Sequence, residues 1–407
     1  MAIDRTRMLA RIEQINATNR LPDGSCCRLA LTDADRSGRD LLVSWMRELD
    51  MDVRIDRIGN IIGVRAGARS EAPVMMGSHI DTVATGGQYD GTYGVLAGLE
   101  VVRVLNDAGI STRRPIAVAA FTNEEGVRFQ PDMMGSLVYA GGLSLEAALG
   151  AASIDGQTLR SELTRIGYAG DAPCGASRPH AYVELHIEQG PVLDRDGAIL
   201  AAVANLQGIS WQELTIRGTS NHAGTTPMAM RRDAGYCAAR VGVFVRELAQ
   251  RMGGSQVATV GSIRLVPNLV NVIAREAIVT VDLRNTDDDL LLAAQDELSA
   301  FLRQLALEQD VTIDTRWLAR SESVRFDEHV LGAIEQAARE LNQPIRRMTS
   351  GAGHDAQMIA RICPAAMIFV PSIGGISHNP REATAPEHLE IGANALLHTV
   401  LRLASED

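Results

Sequence analysis

A histidine and two aspartates lie close together in one short stretch of the 407-residue chain. His79 and Asp81 are separated by one residue, and Asp90 follows in a segment rich in glycine. The apolar run over residues 73–77 precedes them and predicts a buried strand that ends in this loop. Imidazole and carboxylate groups are typical ligands of divalent metals, and glycine lets a loop fold tightly around an ion. The stretch therefore indicates a metal site, although a polar loop that binds nothing has a similar composition.

Paired carboxylates follow a second apolar run. Ile116–Phe121 is apolar at every position and predicts a strand buried on both faces, and Glu124 and Glu125 come shortly after it. Successive side chains of extended backbone point in opposite directions. One carboxylate can therefore bind a metal while the other takes a proton from a water molecule, as a metal hydrolase requires. A solvated acidic turn is the alternative, and the apolar run before the pair makes that alternative less favoured.

Two histidines also lie beyond apolar runs. His186 follows the run that begins at Ala181, and His378 lies in the glycine-containing loop 374–382, after the run 366–370. A single histidine is more often structural than a ligand. However, three of the nine histidines lie where a predicted strand gives way to a polar loop. This coincidence favours one shared metal site over three unrelated structural roles.

Strand and helix patterns alternate over most of the chain. Helical periodicity covers residues 27–49, and further helical stretches separate the apolar runs described above. We expect an α/β fold with a mixed, mostly parallel sheet flanked by helices and with its site at the carboxyl ends of the strands. After about residue 209, alternating strands and two amphipathic helices predict an inserted α+β domain. The expected boundaries are residues 1–209 and 320–407 for the first domain and 210–319 for the insertion.

Composition and charge argue against several kinds of partner and of cysteine site. The net charge of -11 and the lack of a Lys/Arg cluster argue against a nucleic-acid partner. The five cysteines include no CxxC pair, which argues against both a disulfide framework and a cysteine zinc site. The N-terminal residues lack the apolar core of a signal peptide, and no run reaches the length of a membrane span. We therefore expect a cytoplasmic protein with reduced thiols and without a membrane partner.

At this level of detail the chain resembles a known superfamily. The elements His79-x-Asp81, Asp90-Gly91, Glu124-Glu125, His186 and His378 are similar to the metal set of M20-type metallopeptidases and amidohydrolases. Five longer segments resemble the hydantoinase/carbamoylase branch, namely Thr122–Gly126, Leu185–Pro191, Asn221–Met228, Pro267–Val272 and Gly351–Asp355. That branch includes N-carbamoyl-L-amino acid hydrolases, β-ureidopropionases and allantoate amidohydrolases. The motifs occur in order over nearly the whole chain, so the resemblance is specific.

The resemblance implies a centre of two divalent metal ions, which are Zn²⁺ or else Mn²⁺, Co²⁺ or Ni²⁺. The carboxylate of Asp90 and a water molecule would bridge the two ions. His79 and His186 would complete one site, and Glu125 and His378 the other. Asp81 would accept the second imidazole N–H of His79 and so orient its ring. Glu124 would act as general base on the bridging water and later as general acid.

The resemblance also implies substrate contacts on both domains. His222, in the insertion, would stabilise the oxyanion and would come from the partner subunit. Asn271 and Arg284 would bind the substrate carboxylate. Further candidates for substrate contact are Gln189, Gly353 and His354. For His222 the alternative is an ordinary loop histidine, and for Arg284 it is an ion pair with Asp282 or Asp287. The insertion would serve as a lid and as the contact of a homodimer.

We expect the substrate to be a small molecule with an N-carbamoyl or ureido group. The main hypothesis is a hydrolase that cleaves the carbamoyl group of N-carbamoyl-L-amino acids to give amino acid, CO₂ and ammonia. Allantoate amidohydrolase, β-ureidopropionase and another M20-type amidase or dipeptidase are alternatives, because the metal ligands do not distinguish between them. A ligand-binding protein without catalysis is a more remote alternative.

Overall fold

The computed structural model describes residues 1–176 and 178–406. Its helices are α1 (Arg5–Ala17), α2 (Asp33–Glu48), α3 (Thr92–Asp107), α4 (Met134–Tyr139), α5 (Leu145–Leu149), α6 (Leu159–Ile166), α7 (Val192–Asp196), α8 (Ala234–Met252), α9 (Asp288–Gln309), α10 (Glu328–Glu340), α11 (Asp355–Ile359) and α12 (Pro386–Ser405). Its strands are β1 (Asp52–Ile55), β2 (Ile61–Arg65), β3 (Val74–His79), β4 (Ile116–Phe121), β5 (Ala181–Ile187), β6 (Leu200–Leu206), β7 (Gly208–Arg217), β8 (Val257–Val266), β9 (Glu276–Asn285), β10 (Thr312–Ser321), β11 (Val324–Arg325), β12 (Ile345–Ser350) and β13 (Ala365–Val370).

The chain divides into two compact units. The first unit comprises residues 1–204 together with the residues from 326 onward, and the second unit comprises Asn205–Arg325. The second unit is therefore continuous in sequence, whereas the first is assembled from two separated stretches.

The first unit contains a large mixed sheet. Within this unit its strand order is β1-β2-β4-β3-β5-β13-β6, with β12 paired to β6. The four inner strands, β4, β3, β5 and β13, run parallel to one another, and antiparallel strands extend the sheet on both sides. The prediction of a mostly parallel sheet flanked by helices is confirmed.

The inner strands are apolar because both faces of the sheet are covered. Every residue of β3, β4, β5 and β13 is buried. Helix α3 packs on β3, β4 and β5, and thirteen of its residues are buried, which explains its nearly continuous apolar sequence. Because the four strands are parallel, their carboxyl ends lie along one edge of the sheet, where the loops carry the polar residues singled out above.

The second unit is an antiparallel sheet covered by two helices. The strand order is β10-β7-β9-β8, so that β8 and β10 are edge strands. In β7 buried and less buried residues alternate, and the buried ones pack with α8 and α9 into a separate apolar core that includes Leu214, Val241, Val281 and Leu298. This arrangement is the predicted α+β fold.

The predicted helix over residues 27–49 begins later than expected. Helix α2 starts at Asp33, because the Thr32 side chain accepts a hydrogen bond from the Asp35 amide and caps the helix. Leu31 has a φ of 61°, which is incompatible with a continuous helix through this point. Residues 27–31 therefore precede the helix. No helix in the described ranges is long and apolar enough to cross a membrane.

Candidate metal centre

The predicted ligands meet at the carboxyl edge of the four parallel strands. His79 ends β3, Glu125 follows β4, His186 lies near the end of β5, and His378 lies in the loop after β13. Asp90 lies in the loop between β3 and α3. The five residues form two groups of donor atoms, His79-Asp90-His186 and Asp90-Glu125-His378, each with its donor atoms within 4.8 Å of one another. Four separate segments thus contribute to one cluster.

Asp90 lies at the centre of this cluster. Its Oδ1 is 3.2 Å from His186 Nε2 and 3.7 Å from His79 Nε2, whereas its Oδ2 is 3.0 Å from His378 Nε2. The two carboxylate oxygens therefore face different histidines. His378 Nε2 is also 3.5 Å from Glu125 Oε2, which completes the second group. The carboxylate of Asp90 is shared by both groups, as a bridging ligand must be.

The two buried histidines present the nitrogen that a metal needs. His79 Nδ1 is 2.9 Å from the Asp81 carbonyl oxygen, and His186 Nδ1 is 2.8 Å from the Ile187 carbonyl oxygen. A carbonyl only accepts, so in each ring Nδ1 carries a proton and Nε2 is the nitrogen directed at Asp90. Burial lowers the pKa of His79 to about 4, which keeps this imidazole neutral at pH 7.

Burial and mutual repulsion act on the carboxylates of the cluster. Burial raises the pKa of Glu124 well above its usual value, and the neighbouring carboxylates Asp355 and Glu125 raise it further. Burial likewise raises the pKa of Glu125, with Asp90 next in effect. For Asp90 burial also raises the pKa, but hydrogen bonds with His186 and His378 outweigh it and hold the pKa well below the usual range. The surroundings therefore disfavour the charged forms of Glu124 and Glu125 and favour that of Asp90.

The carboxylate of Asp81 has different hydrogen-bond partners from those predicted. The sequence suggested that its carboxylate accepts the N–H of His79, but the main-chain carbonyl of Asp81 has that role. The carboxylate instead accepts the backbone N–H of Glu124 at 3.2 Å and that of Glu125 at 3.3 Å. The side chain faces away from the His79 ring because its two oxygens accept these N–H groups of the loop after β4. Asp81 thus couples the loop after β3 to the loop after β4.

Glycine is required at the position that follows Asp90. Gly91 has a φ of 59°, and a Cβ atom at this residue would lie 2.3 Å from His79 Nε2. Its amide N–H points at His186 Nε2, 3.1 Å away. Any side chain at this position would therefore displace the ring of His79. This close approach explains why glycine follows Asp90.

Gln189 lies in the cluster itself. Its Nε2 donates to Asp90 Oδ2 at 3.0 Å and lies 3.4 Å from His378 Nε2. Its φ is 57°, and that of His378 is 53°, which are unusual values for residues other than glycine. The surroundings thus hold both residues in a strained conformation beside Asp90.

His354 and Gly353, two candidates for substrate contact, are both closely packed against other side chains. His354 is 1% exposed, and its ring centroid lies 4.5 Å from that of His186. Its Nε2 is 3.2 Å from Ser350 Oγ. In this structure the ring of His354 therefore packs against the ring of His186, which is a metal-ligand candidate. A Cβ atom at Gly353 would lie 3.0 Å from the Met133 Cε, so the glycine allows close packing there.

Sequence reasoning missed Glu382, which joins two of the loops. This buried carboxylate accepts the N–H groups of Tyr89, at 2.9 Å, and Asp90, at 3.3 Å. Its other oxygen accepts the hydroxyl of Ser377 at 2.8 Å. Glu382 thereby ties the Asp90 loop to the loop of His378. Its position only four residues after His378 was the available signal.

In the second unit, His222 and Asn271 lie side by side. His222 and Val272 form an isolated β-bridge, and the Ala223 N–H donates to the Asn271 carbonyl at 3.0 Å. His222 Nδ1 accepts the N–H groups of Gly224, at 3.0 Å, and Thr225, at 3.2 Å. The ring proton is therefore on Nε2, which leaves an exposed hydrogen-bond donor.

Arg284 lies at the opposite end of the same hairpin. In the β8–β9 pair, Arg284 faces Val257, whereas Glu276, next to the turn that carries Asn271, faces Val266. The separation along β9 is eight residues, or about 27 Å at ~3.4 Å per residue. Arg284 forms an ion pair with Asp282, with Nη2 2.9 Å from Oδ2, and Asp282 is one of the two ion-pair partners that the sequence suggested. Within one chain, Arg284 and Asn271 do not converge on one ligand.

The donor set fits divalent cations. Imidazole nitrogens and carboxylate oxygens are brought together in both groups of donor atoms. A buried cluster of carboxylates carries a large electrostatic cost unless a cation balances it. The arrangement therefore has the composition, the shape and the charge of a metal site.

Comparison with known proteins gives a consistent picture. The sequence model of Peptidase family M20/M25/M40 matches residues 75–402. An N-carbamoyl-L-amino-acid amidohydrolase of Rhizobium meliloti is 39% identical over 378 residues, which cover 93% of this chain and 91% of that protein. The allantoate amidohydrolase of Bacillus subtilis (strain 168) is 34% identical over 388 residues, covering 94% of this chain and 93% of that protein. A crystal structure of an amidase of the hydantoinase/carbamoylase family from Burkholderia multivorans has a TM-score of 0.96 and 43% identity, covering 100% of this chain and 99% of that one.

Proposed function

The chain belongs to Peptidase family M20/M25/M40 and is a hydrolase of carbon–nitrogen bonds, and we propose that it removes the carbamoyl group from N-carbamoyl-L-amino acids. The observation that supports this most strongly is the double cluster of metal-ligand candidates around Asp90 in a chain 39% identical to an enzyme of that name. The products would be the free amino acid, CO₂ and ammonia.

The proposed ligands are His79 and His186 for one divalent ion, Glu125 and His378 for a second, and Asp90 for both. Imidazole and carboxylate donors suit Zn²⁺, Mn²⁺, Co²⁺ and Ni²⁺. When bound, such ions polarise a carbonyl oxygen and make a water molecule more acidic. The protein contributes the fixed orientation of the donors, because carbonyls hold the rings of His79 and His186 at Nδ1.

Glu124 is proposed to carry the proton. Its Oε2 lies 3.3 Å from His79 Nε2, at the edge of the first group of ligands. Burial raises its pKa well above the usual value, so that the carboxylate is a stronger proton acceptor than an exposed glutamate. Glu124 would accept a proton from the attacking water and deliver it to the amino-acid nitrogen as the C–N bond to the carbamoyl carbon breaks.

The second unit is proposed to supply the remaining contacts within a homodimer. Asn271 lies in the turn of the β8–β9 hairpin and Arg284 near its opposite end, so one substrate would meet both if they come from different subunits. His222 would then act with Asn271 from the same subunit, with its Nε2–H directed at the developing oxyanion. Arg284 of the other subunit would bind the carboxylate with its planar fork once it is released from Asp282.

The edge strand β8 supports this dimer proposal. It is an outer strand of the sheet in the second unit, and Val257 and Ile263 on it are 46% and 48% exposed. Val270, in the turn that follows β8, is fully exposed. An uncovered edge strand with apolar side chains is a natural site for pairing with a second copy of the chain.

Allantoate hydrolysis is the second candidate, because an allantoate amidohydrolase is 34% identical over most of the chain. The deciding experiment measures ammonia release from N-carbamoyl-L- and D-amino acids, N-carbamoyl-β-alanine and allantoate, with Mn²⁺, Zn²⁺, Co²⁺ or Ni²⁺ added to metal-free protein. We expect the highest kcat/KM for an N-carbamoyl-L-amino acid. Preference for allantoate would replace the main proposal. Binding of these compounds without release of ammonia under every metal would exclude catalysis.

A further inference from the structure

A short N-terminal segment, Ser25–Arg28, lies along the loop that carries Asp90. Cys26 and Gly86 exchange both backbone hydrogen bonds, at 2.9 and 3.0 Å. The Thr82 N–H donates to the Arg28 carbonyl at 3.0 Å, and the Arg28 N–H donates to Thr82 Oγ1 at 2.8 Å. The segment therefore pairs with the metal loop, residues 80–92, as a short additional strand. Two of these residues, Cys27 and Arg28, lie where the sequence predicted the start of a helix.

The side chain of Arg28 joins the two ends of the metal loop. Its Nε donates to the Ile80 carbonyl at 2.5 Å, directly after β3, and its Nη2 donates to Thr92 Oγ1 at 3.0 Å, in the first turn of α3. Its Nη1 donates to Asn19 Oδ1 at 2.7 Å and to the Ile15 carbonyl at 3.2 Å. One guanidinium group thus fixes the beginning and the end of the metal loop to each other and to the region of α1.

Burial of the Arg28 guanidinium costs free energy, and the side chain packs closely against α2. The residue is 0% exposed, and the four partners named above are neutral oxygens. A charged group buried in this way is unfavourable unless its hydrogen bonds are well made. A Cβ atom at Gly38 would lie 2.9 Å from Arg28 Cδ, so α2 leaves just enough space for this side chain. The three N–H groups of lysine diverge from one nitrogen, so lysine cannot reproduce contacts that Arg28 makes from three separate nitrogens.

We propose that Arg28 is a positioning residue of the metal centre. It holds both ends of the metal loop so that His79 and Asp90 keep their relative positions before any metal binds. Arg28 lies outside the stretch that matches the family sequence model, which begins at residue 75. The inference rests on the proposed metal centre, but bracing of the loop can be measured without metal.

The test compares Arg28→Lys and Arg28→Met with the wild-type protein in two measurements. Amide hydrogen exchange of the metal-free proteins reports on the metal loop, and we expect the Thr82 and Gly86 amides to exchange at least about tenfold faster in the variants. Titration with Zn²⁺ against a chromophoric chelator reports on the ligands, and we expect affinity to fall by ~10–100-fold, as for other residues that orient metal ligands. Amides in β4 and in α8 should exchange at the wild-type rate.

Arg11→Met is the matched control. Arg11 is also buried in the N-terminal region, but its guanidinium lies over the Trp45 ring, 5.7 Å from the centroid. Its loss should lower thermal stability without changing Zn²⁺ affinity or exchange in the metal loop. A folded Arg28→Met protein with wild-type affinity and wild-type exchange would overturn the inference.

If the Arg28 variants do not fold, Thr92→Val decides the question. This change removes the hydroxyl that accepts from Arg28 Nη2 and keeps the guanidinium in place. We expect weaker Zn²⁺ binding and faster exchange in the metal loop; affinity within about twofold of the wild type would refute the proposal. A wild-type protein that binds no metal ion would refute the proposed metal centre instead, and the exchange data would still report on the role of Arg28.

Discussion

Replacement of Glu124 by Gln separates proton transfer from metal binding. The new side chain has nearly the same shape, and the backbone N–H groups of residues 124 and 125 can still donate to Asp81. An amide, however, cannot accept and return a proton. General acid–base catalysis contributes ~10²–10⁴-fold to many enzymes. We therefore expect kcat to fall by ~10²–10⁴-fold, which corresponds to about 2.7 to 5.4 kcal/mol of transition-state stabilisation.

Metal content is expected to remain at the wild-type level in Glu124→Gln. Glu124 lies outside both groups of donor atoms, whereas Glu125 belongs to the group with Asp90 and His378. Glu125→Gln is therefore a matched control, with the same substitution at the adjacent residue, and it should lose metal as well as turnover. The metal-free Glu124→Gln protein should also unfold at a higher temperature at pH 7, because burial and the neighbouring carboxylates disfavour the charged form of Glu124 and glutamine has no charged form.

The assay combines ammonia release with elemental analysis of the same samples. Metal per chain, kcat and KM are measured for the wild type and both variants in the presence of excess metal. Glu124→Gln should retain metal and KM and lose kcat, whereas Glu125→Gln should lose metal. If Glu124→Gln keeps full metal content and more than about a tenth of the wild-type kcat, Glu124 is not the proton carrier.

Three further predictions concern other parts of the chain. Mixing inactive His222→Ala with inactive Glu124→Ala under conditions of subunit exchange should restore part of the activity, because one active site of the mixed dimer would be intact; no recovery despite demonstrated exchange would contradict a shared site. Glu382→Ala should weaken Zn²⁺ binding by ~10–100-fold, whereas Glu382→Gln should retain most of it, since its amide oxygen can accept the same two N–H groups; equal affinities for the two variants would argue against the role of Glu382. Burial raises the pKa of Asp56 to about 6, above an unfolded value of about 3.9, so the folded protein binds this proton more tightly and the free energy of unfolding should fall by up to about 3 kcal/mol as pH rises from 4 to 7. Asp56→Asn should lose this part of the pH dependence in denaturant titrations, and an unchanged slope would show that Asp56 does not titrate in this way.

The cluster of polar residues was predictable because its members follow apolar runs. A run of this kind identifies a strand of the inner sheet, and inner strands that run parallel end at one edge. His79, His186 and Glu125 therefore had to lie near one another once the strands were recognised. Periodicity and residue type were sufficient because this placement does not depend on side-chain conformation.

Other features depend on backbone geometry that periodicity does not encode. Leu29 and Leu31 fit the helical pattern, but the Thr32 cap and the positive φ of Leu31 end it. Arg28 consequently leaves the predicted helix and reaches the metal loop. The carboxylate of Asp81 turns toward two backbone amides, a choice that depends on a neighbouring loop distant in sequence.

Strand register decided the positions in the second unit. From the sequence, Asn271 and Arg284 were simply two polar residues near strand ends, thirteen positions apart. The antiparallel pairing of β8 with β9 places them at opposite ends of one hairpin. Pairing partners are fixed by the folded sheet and not by either strand alone, so the single sequence did not reveal this separation.

The order of strands in the large sheet has a consequence for biosynthesis. β13 lies between β5 and β6 and leads into the loop of His378, yet the whole second unit precedes it in the chain. At a synthesis rate of ~5–20 residues per second, β13 is made roughly 10 to 30 s after β5 and β6, between which it pairs. Throughout that interval two apolar strand edges have no partner, whereas the second unit, continuous in sequence, is complete and can fold. The metal ligands cannot all assemble until β13 and the loop of His378 have emerged.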